Sequence, residues 1–228
     1  MKKLIRVGVL SLLAGSAAVA GTITGTVAAK GPAGADRTAA DVAYSSMRYK
    51  FAEKVDYDRL EDFVISIDQP VPEPPGAPVA AAATIAQHNV SFEPHVLPIM
   101  VGTRVRWPNK DDIYHNVFSM SDAKDFDLGL YTREKVPEIL FDRTGQVDVY
   151  CAIHSKMHCI ILVLPSRYFA KVNAHQRYFL RDVPAGTYRL RAWQERLPAR
   201  TAVVTVPAEG EVRVDFTLGV GLSGLPRY

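Results

Sequence analysis

The chain has 228 residues, and its 27 basic and 24 acidic side chains give a formal net charge of +3. Hydrophobic residues make up 48% and charged residues 22%, which is ordinary for a globular protein and argues against wholesale disorder. Three of the basic residues, Lys2, Lys3 and Arg6, lie in the first six positions, and without them 24 basic residues face 24 acidic ones. A neutral chain gives no reason to expect a nucleic-acid partner or an anionic membrane surface.

The first 20 residues have the pattern of a secretory signal peptide. A basic start precedes an apolar run over residues 7–19 that ends in small side chains. We expect cleavage after Ala20 and export, to the periplasm or beyond it. The alternative is an uncleaved membrane anchor, for which the run is short. No later stretch looks transmembrane, so we expect no integral membrane segment after cleavage.

Short β-rich segments follow in chain order, and turn residues separate them at short intervals. They are TITGTVAA, DFVISID, TRVRW, HNVFSM, VDVYC, CIILVLP, RYFLRDV, TYRLRAW, TAVVTV and EVRVDFTL. Many short strands with regular turns predict an all-β protein built as a sandwich or barrel. The Pro-rich segment PVPEPPGAP, residues 70–78, predicts a linker between two of them. FDLGLY, residues 126–131, is interpreted as a packed loop.

The strongest chemical signal is YCAIHSKMHC, in which Cys151, His154 and Met157 follow a C-x2-H-x2-M spacing. Upstream, YHNVFS offers His115, followed by Asn116. One thiolate, two imidazoles and a thioether form the donor set of a blue-copper site, which suits both Cu(I) and Cu(II). A cysteine at a strand end, with His and Met on the following short loop, can converge on one ion. The fourth donor, His115, must then come from a neighbouring strand.

Two other interpretations remain open for the same residues. In an exported protein, two cysteines first suggest a disulfide, here between Cys151 and Cys159, which would remove the thiolate. A zinc site formed by Cys151, His115, His154 and His158 is the second alternative.

Residues 85–164 closely resemble the cupredoxin family. The resemblance rests on VSFEPHVLPIMVGTRVRWPNKDDIYHNVFS and on GQVDVYCAIHSKMHCIILVL, and the short ligand loop looks like that of the amicyanin subgroup. It implies a Greek-key β-sandwich with one type 1 copper near one end. It also implies that Asn116 ties the two ligand loops together and that His154 is the edge through which electrons pass. Cys159 stands where longer-loop cupredoxins carry the axial Met, which is a departure from their pattern.

The flanking segments resemble a second family, the carboxypeptidase regulatory-like or transthyretin-like sandwich. The segments are RYFLRDVPAGTYRLRAW and VRVDFTL, with GTITGTVAAKGP and EDFVISID before the linker. The resemblance predicts a smaller β-sandwich from residues 21–72 and 165–228, interrupted by the linker at 73–79 and a cupredoxin domain at 80–164. The alternative joins the N-terminal strands to the cupredoxin and leaves 165–228 as a separate module.

These features together predict an electron carrier that cycles between Cu(II) and Cu(I), with a redox protein as its partner. The chain has six histidines but no His-x-His or His-Cys-His motif, so the additional copper ions of a copper enzyme lack ligands. We therefore expect a protein that is not an enzyme. The alternative is a module that sequesters copper or serves recognition without electron transfer.

Overall fold

The computed structural model describes residues 20–30, 62–73 and 81–219. Within these residues every regular element is a β-strand, so the predicted all-β class is confirmed. The predicted signal peptide lies outside the described residues except for Ala20, and so does most of the predicted linker. In the described ranges no helix could cross a membrane.

The described ranges contain eighteen strands. They are β1 (Ala20–Ala29), β2 (Val64–Ile67), β3 (Ala83–Thr84), β4 (Ala86–His88), β5 (Ser91–Glu93), β6 (Val96–Met100), β7 (Thr103–Arg106), β8 (His115–Ser121), β9 (Lys124–Tyr131), β10 (Glu138–Phe141), β11 (Gly145–Tyr150), β12 (His158–Leu164), β13 (Phe169–Lys171), β14 (Arg177–Pro184), β15 (Gly186–Gln194), β16 (Leu197–Val206), β17 (Glu211–Arg213) and β18 (Phe216–Leu218).

The strands between residues 83 and 164 form the first sandwich. One sheet has the order β6-β12-β11-β8-β9 and the other the order β10-β7-β3, while β4 and β5 form a hairpin. The inward side chains of the two sheets share one buried cluster, in which Trp107 and Phe141 are fully buried. Alternation of buried and exposed side chains along strands such as β7 and β11 places this core between the sheets.

The remaining strands form the second sandwich. Its sheets are β14-β1-β17, with β18 also pairing with β1, and β13-β2-β15-β16. Among the described residues, β1 and β2 pair only with strands that follow residue 164, and β2 lies between β13 and β15. Ile23 of β1 and Ile65 of β2 therefore pack in one core with Leu190 of β15. The predicted second β-sandwich is confirmed.

Strand β12 joins the two sandwiches because both of its faces are buried. Cys159, Ile161 and Val163 point into the core of the first sandwich. The alternate residues pack in a separate cluster with side chains of the second sandwich, including Val64 and Trp193. A strand that is covered on both faces needs apolar side chains at successive positions, and this explains the sequence CIILVL.

Candidate metal centre

Three of the predicted donors converge at one end of the first sandwich. The Nδ1 atoms of His115 and His154 lie 3.0 Å apart, and Cys151 Sγ lies 3.6 Å from His154 Nδ1. The three donor atoms all lie within 4.8 Å of one another. Donors that bind one ion at about 2.0–2.3 Å stand about 3–4 Å apart, so these side chains could hold a metal ion.

The strand pairing explains this convergence. Strands β8 and β11 are antiparallel neighbours, so the start of β8, at His115, lies beside the end of β11. Cys151 follows β11 directly, and the segment from Cys151 to Met157 leads into β12. This segment closes on itself, because the Met157 N–H donates to His154 O at 3.0 Å and the Cys151 N–H donates to Met157 O at 3.3 Å. Met157 is almost fully buried, in the same cluster as Cys151.

Asn116 connects the two segments that carry the donors. Its backbone N–H donates to Cys151 Sγ at 3.5 Å, and its side-chain Oδ1 accepts from the Ala152 N–H at 3.2 Å. Its Nδ2 donates to Asp127 Oδ1 at 2.6 Å, which fixes the orientation of the amide. Because Asn116 binds both the Cys151 sulfur and the backbone of the next residue, the position of the sulfur depends on Asn116.

Asp111 orients the buried imidazole of His115. The Asp111 carboxylate lies 2.8 Å from His115 Nε2, so Nε2 carries the proton and Nδ1 is left as a lone-pair donor facing His154. Desolvation raises the pKa of Asp111, but the backbone N–H of Val90, the His115 ring and the backbone N–H of Asn89 outweigh it. The net result is a pKa below the usual value, so the carboxylate stays ionised and available to the imidazole.

Of the four proposed ligands, only His154 is appreciably accessible to solvent. His115 is fully buried, and Cys151 and Met157 are nearly so, whereas His154 is only partly buried. The residue before each histidine is exposed and largely apolar: Tyr114 is 59% exposed and Ile153 is 50% exposed. His154 is therefore the side of the centre that another molecule could approach.

The structure also tests the two alternatives, a disulfide between Cys151 and Cys159 and a zinc site that includes His158. Both cysteines are free thiols. Burial, with a smaller contribution from Asp148, holds the pKa of the Cys159 thiol well above its usual value, which keeps that thiol protonated. His158 does not join the three donors, because its ring lies against His95 and Glu195 instead. The zinc site proposed with His158 as a ligand therefore lacks that ligand.

Two features near the centre were not predicted. FDLGLY is not a loop but most of strand β9, which pairs with β8 and alternates between half-buried and exposed side chains. It supplies Asp127, the partner of Asn116. Asp111 was also missed, because its contact with His115 depends on the bend over residues 111–113 that leads into β8.

Comparison with known proteins finds similarity to solved structures of copper proteins. A copper-containing nitrite reductase from Thermus scotoductus is 27% identical, with 42% of this chain covered, 25% of that chain covered and a TM-score of 0.35. A purple cupredoxin from Nitrosopumilus maritimus is 26% identical, with 36% and 98% covered and a TM-score of 0.32. A Cu(I) amicyanin point mutant is 22% identical, with 45% and 98% covered and a TM-score of 0.34.

This chain thus spans a quarter of the length of the nitrite reductase that it matches. No protein-family model matches the chain, and neither does any curated protein.

Proposed function

We propose that this protein is an exported blue-copper electron carrier with a single type 1 copper site. His115, Cys151, His154 and Met157 would hold the ion, and the ion would supply one-electron transfer between Cu(II) and Cu(I). The observation that carries the proposal is the convergence of one thiol sulfur and two imidazole nitrogens within 4.8 Å. Sulfur and imidazole donors together suit both oxidation states of copper.

The residues around the donors would keep their positions fixed during electron transfer. Asp111 holds the His115 ring, and Asn116 binds both Cys151 and the residue that follows it. Donors that cannot move offer the same arrangement to both oxidation states, which reduces the rearrangement that each transfer requires. The near-complete burial of Cys151 and Met157 excludes water from the sulfur side.

The partly buried His154 supports a partner that approaches from this end of the sandwich. We propose a redox protein as that partner, docking over the exposed apolar neighbours Tyr114 and Ile153. Transient redox contacts use small interfaces, which a short apolar edge of this kind can provide.

The basic and apolar N-terminus supports export through a signal peptide that is cleaved after Ala20. The mature chain would then begin within β1, at Gly21. We further propose that residues 21–72 and 165–228 form a regulatory-like sandwich with a cupredoxin domain, residues 80–164, inserted after the linker at 73–79. The pairing of β1 and β2 with strands after residue 164 supports this division. Mass spectrometry of the exported protein tests the cleavage site.

Voltammetry of the copper-loaded protein tests electron transfer. We expect one reversible wave that accounts for one electron per chain. A protein that binds copper tightly but gives no reversible wave would support the alternative, a module that sequesters copper. A chain that binds no copper would contradict both.

A further inference from the structure

A second group of potential metal ligands lies where the two sandwiches meet. It consists of His95, which precedes β6, His158, which begins β12, and Glu195, which lies in the turn between β15 and β16. One donor atom from each lies within 4.8 Å of the others. His95 Nε2 is 3.1 Å from Glu195 Oε2, and His158 Nδ1 is 3.9 Å from Glu195 Oε1. Ligands of a tetrahedral zinc ion stand about 3.4 Å apart, so these distances bracket the expected value.

The other nitrogen of each imidazole is already bound to an oxygen. His95 Nδ1 lies 3.2 Å from the backbone O of His158, and His158 Nε2 lies 3.3 Å from Asp148 Oδ1. In the metal-free protein His95 Nε2 donates a hydrogen bond to Glu195 Oε2. A cation would displace that proton, and each oxygen could then accept the remaining ring proton, which leaves His95 Nε2 and His158 Nδ1 as lone-pair donors beside one carboxylate. Metal-binding histidines characteristically donate their second N–H to a carbonyl or carboxylate in this way.

We infer that His95, His158 and Glu195 bind a divalent transition-metal ion of the Zn²⁺ class, which fastens the two sandwiches together. Glu195 and Asp148 supply two negative charges, which balance a divalent cation. The three side chains are between 22% and 39% exposed, so water can complete the coordination. A simple ion pair between His95 and Glu195 would not require the second imidazole, whereas a metal site uses both.

The experiment uses the mature protein loaded with no more than one copper ion per chain, because excess Cu(II) binds nitrogen and oxygen donors more tightly than Zn²⁺ and would fill this site as well. Zn²⁺ is then titrated by calorimetry at about pH 8, where free imidazole is neutral. We expect one Zn²⁺ ion per chain in addition to copper. Glu195→Gln should weaken zinc binding by about 100-fold or more, and Asp148→Asn by about 10–100-fold, the range typical of groups that orient a ligand.

His88→Gln is the matched control. His88 Nδ1 lies 3.4 Å from Glu93 Oε2 in an exposed pair that no other histidine or cysteine joins within the described residues, so this variant should bind Zn²⁺ like the wild type. The inference is overturned if the wild type shows no saturable zinc binding, or if Glu195→Gln binds zinc as tightly as His88→Gln. Should Glu195→Gln fail to fold, His95→Gln makes the same comparison from the other sandwich.

Titration with Co²⁺ distinguishes this site from the Cys151 centre. Cobalt bound by nitrogen and oxygen gives weak visible bands, whereas a thiolate band that accounts for all of the bound cobalt would place the ion at Cys151 alone and contradict the inference. The difference between the wild type and Glu195→Gln measures this site alone. A failure of the copper proposal would appear separately, as a preparation without blue colour.

Discussion

Replacing Asn116 with alanine should loosen the connection between the two segments that carry the proposed copper ligands. The change removes the hydrogen bond from Ala152 N–H and the one to Asp127 Oδ1, while the backbone N–H to Cys151 remains. A neutral hydrogen bond contributes about 1 kcal/mol, and one to a charged group about 1.5–3 kcal/mol. Asp127 is exposed, so the lower end of that range applies, and we expect a loss of about 2–3 kcal/mol in unfolding free energy.

The loss of copper affinity in Asn116→Ala should be larger than the loss of unfolding free energy alone implies. Partners that orient metal ligands typically contribute about 10–100-fold in metal affinity, and Asn116 orients the segment around Cys151. Urea denaturation of the metal-free protein measures the unfolding free energy. Competition for copper against a chelator measures the copper affinity.

Asn173→Ala provides the matched control for Asn116→Ala. The Asn173 side chain also makes two hydrogen bonds, accepting from the backbone N–H groups of His175 and Arg177, but it lies in the second sandwich. This variant should lose stability without losing copper affinity. The reasoning is refuted if Asn116→Ala binds copper as tightly as Asn173→Ala does.

Three further changes test the fold. Gly25→Ala would place a Cβ 1.8 Å from Val214 O, so we expect a loss of about 3 kcal/mol or more in urea denaturation, and an unchanged midpoint would contradict this packing. Ile160→Ala should cost about 2–4 kcal/mol by opening the fully buried contact between the sandwiches, with an unaltered copper spectrum. Hydrogen bonds from Arg213 and, to a smaller extent, from Thr26 lower the pKa of Asp215 to about 2, so the stability that the ionised Asp215 contributes is complete above about pH 4 and lost as the pH falls towards 2. Asp215→Asn should therefore differ from the wild type by up to about 1 kcal/mol at neutral pH and progressively less below pH 4; a constant difference would refute this.

The segment that carries three of the proposed ligands could be identified from the sequence because its spacing is local. The spacing of Cys151, His154 and Met157 places three donors on one short connection, and only His115 had to be assigned from a distant strand. The structure brings His115, Cys151 and His154 together. Met157 lies in the same buried cluster, and its role as an axial ligand remains a prediction.

The groups that orient the donors could not be predicted in the same way, because they depend on strand pairing. Asp127 reaches Asn116 only because FDLGLY pairs with β8 as a strand, whereas Gly129 within this segment favoured a loop in the sequence interpretation. Glu195 is 100 residues from His95 in sequence, so nothing local connects them. His95 and Glu195 come together because one face of β12 lies in the core of the first sandwich and the other face packs against the second sandwich.

The environment of the continuous apolar run in β12 could be predicted only in part. CIILVL indicates a strand buried on both faces, but the sequence does not say what covers the second face. The structure shows that Ile160, Leu162 and Leu164 pack with Val64 and Trp193. The second sandwich therefore covers the strand that follows the ligand loop.

The visible absorption of the mature protein after addition of Cu(II) tests the central claim most directly. We predict an intense blue colour from the Cys151 thiolate, which is bleached by ascorbate and returns on reoxidation. Cys151→Ser should be colourless, whereas Cys159→Ser should stay blue, because the buried Cys159 thiol remains protonated. A colourless folded wild-type protein, or a blue Cys151→Ser variant, would contradict the account.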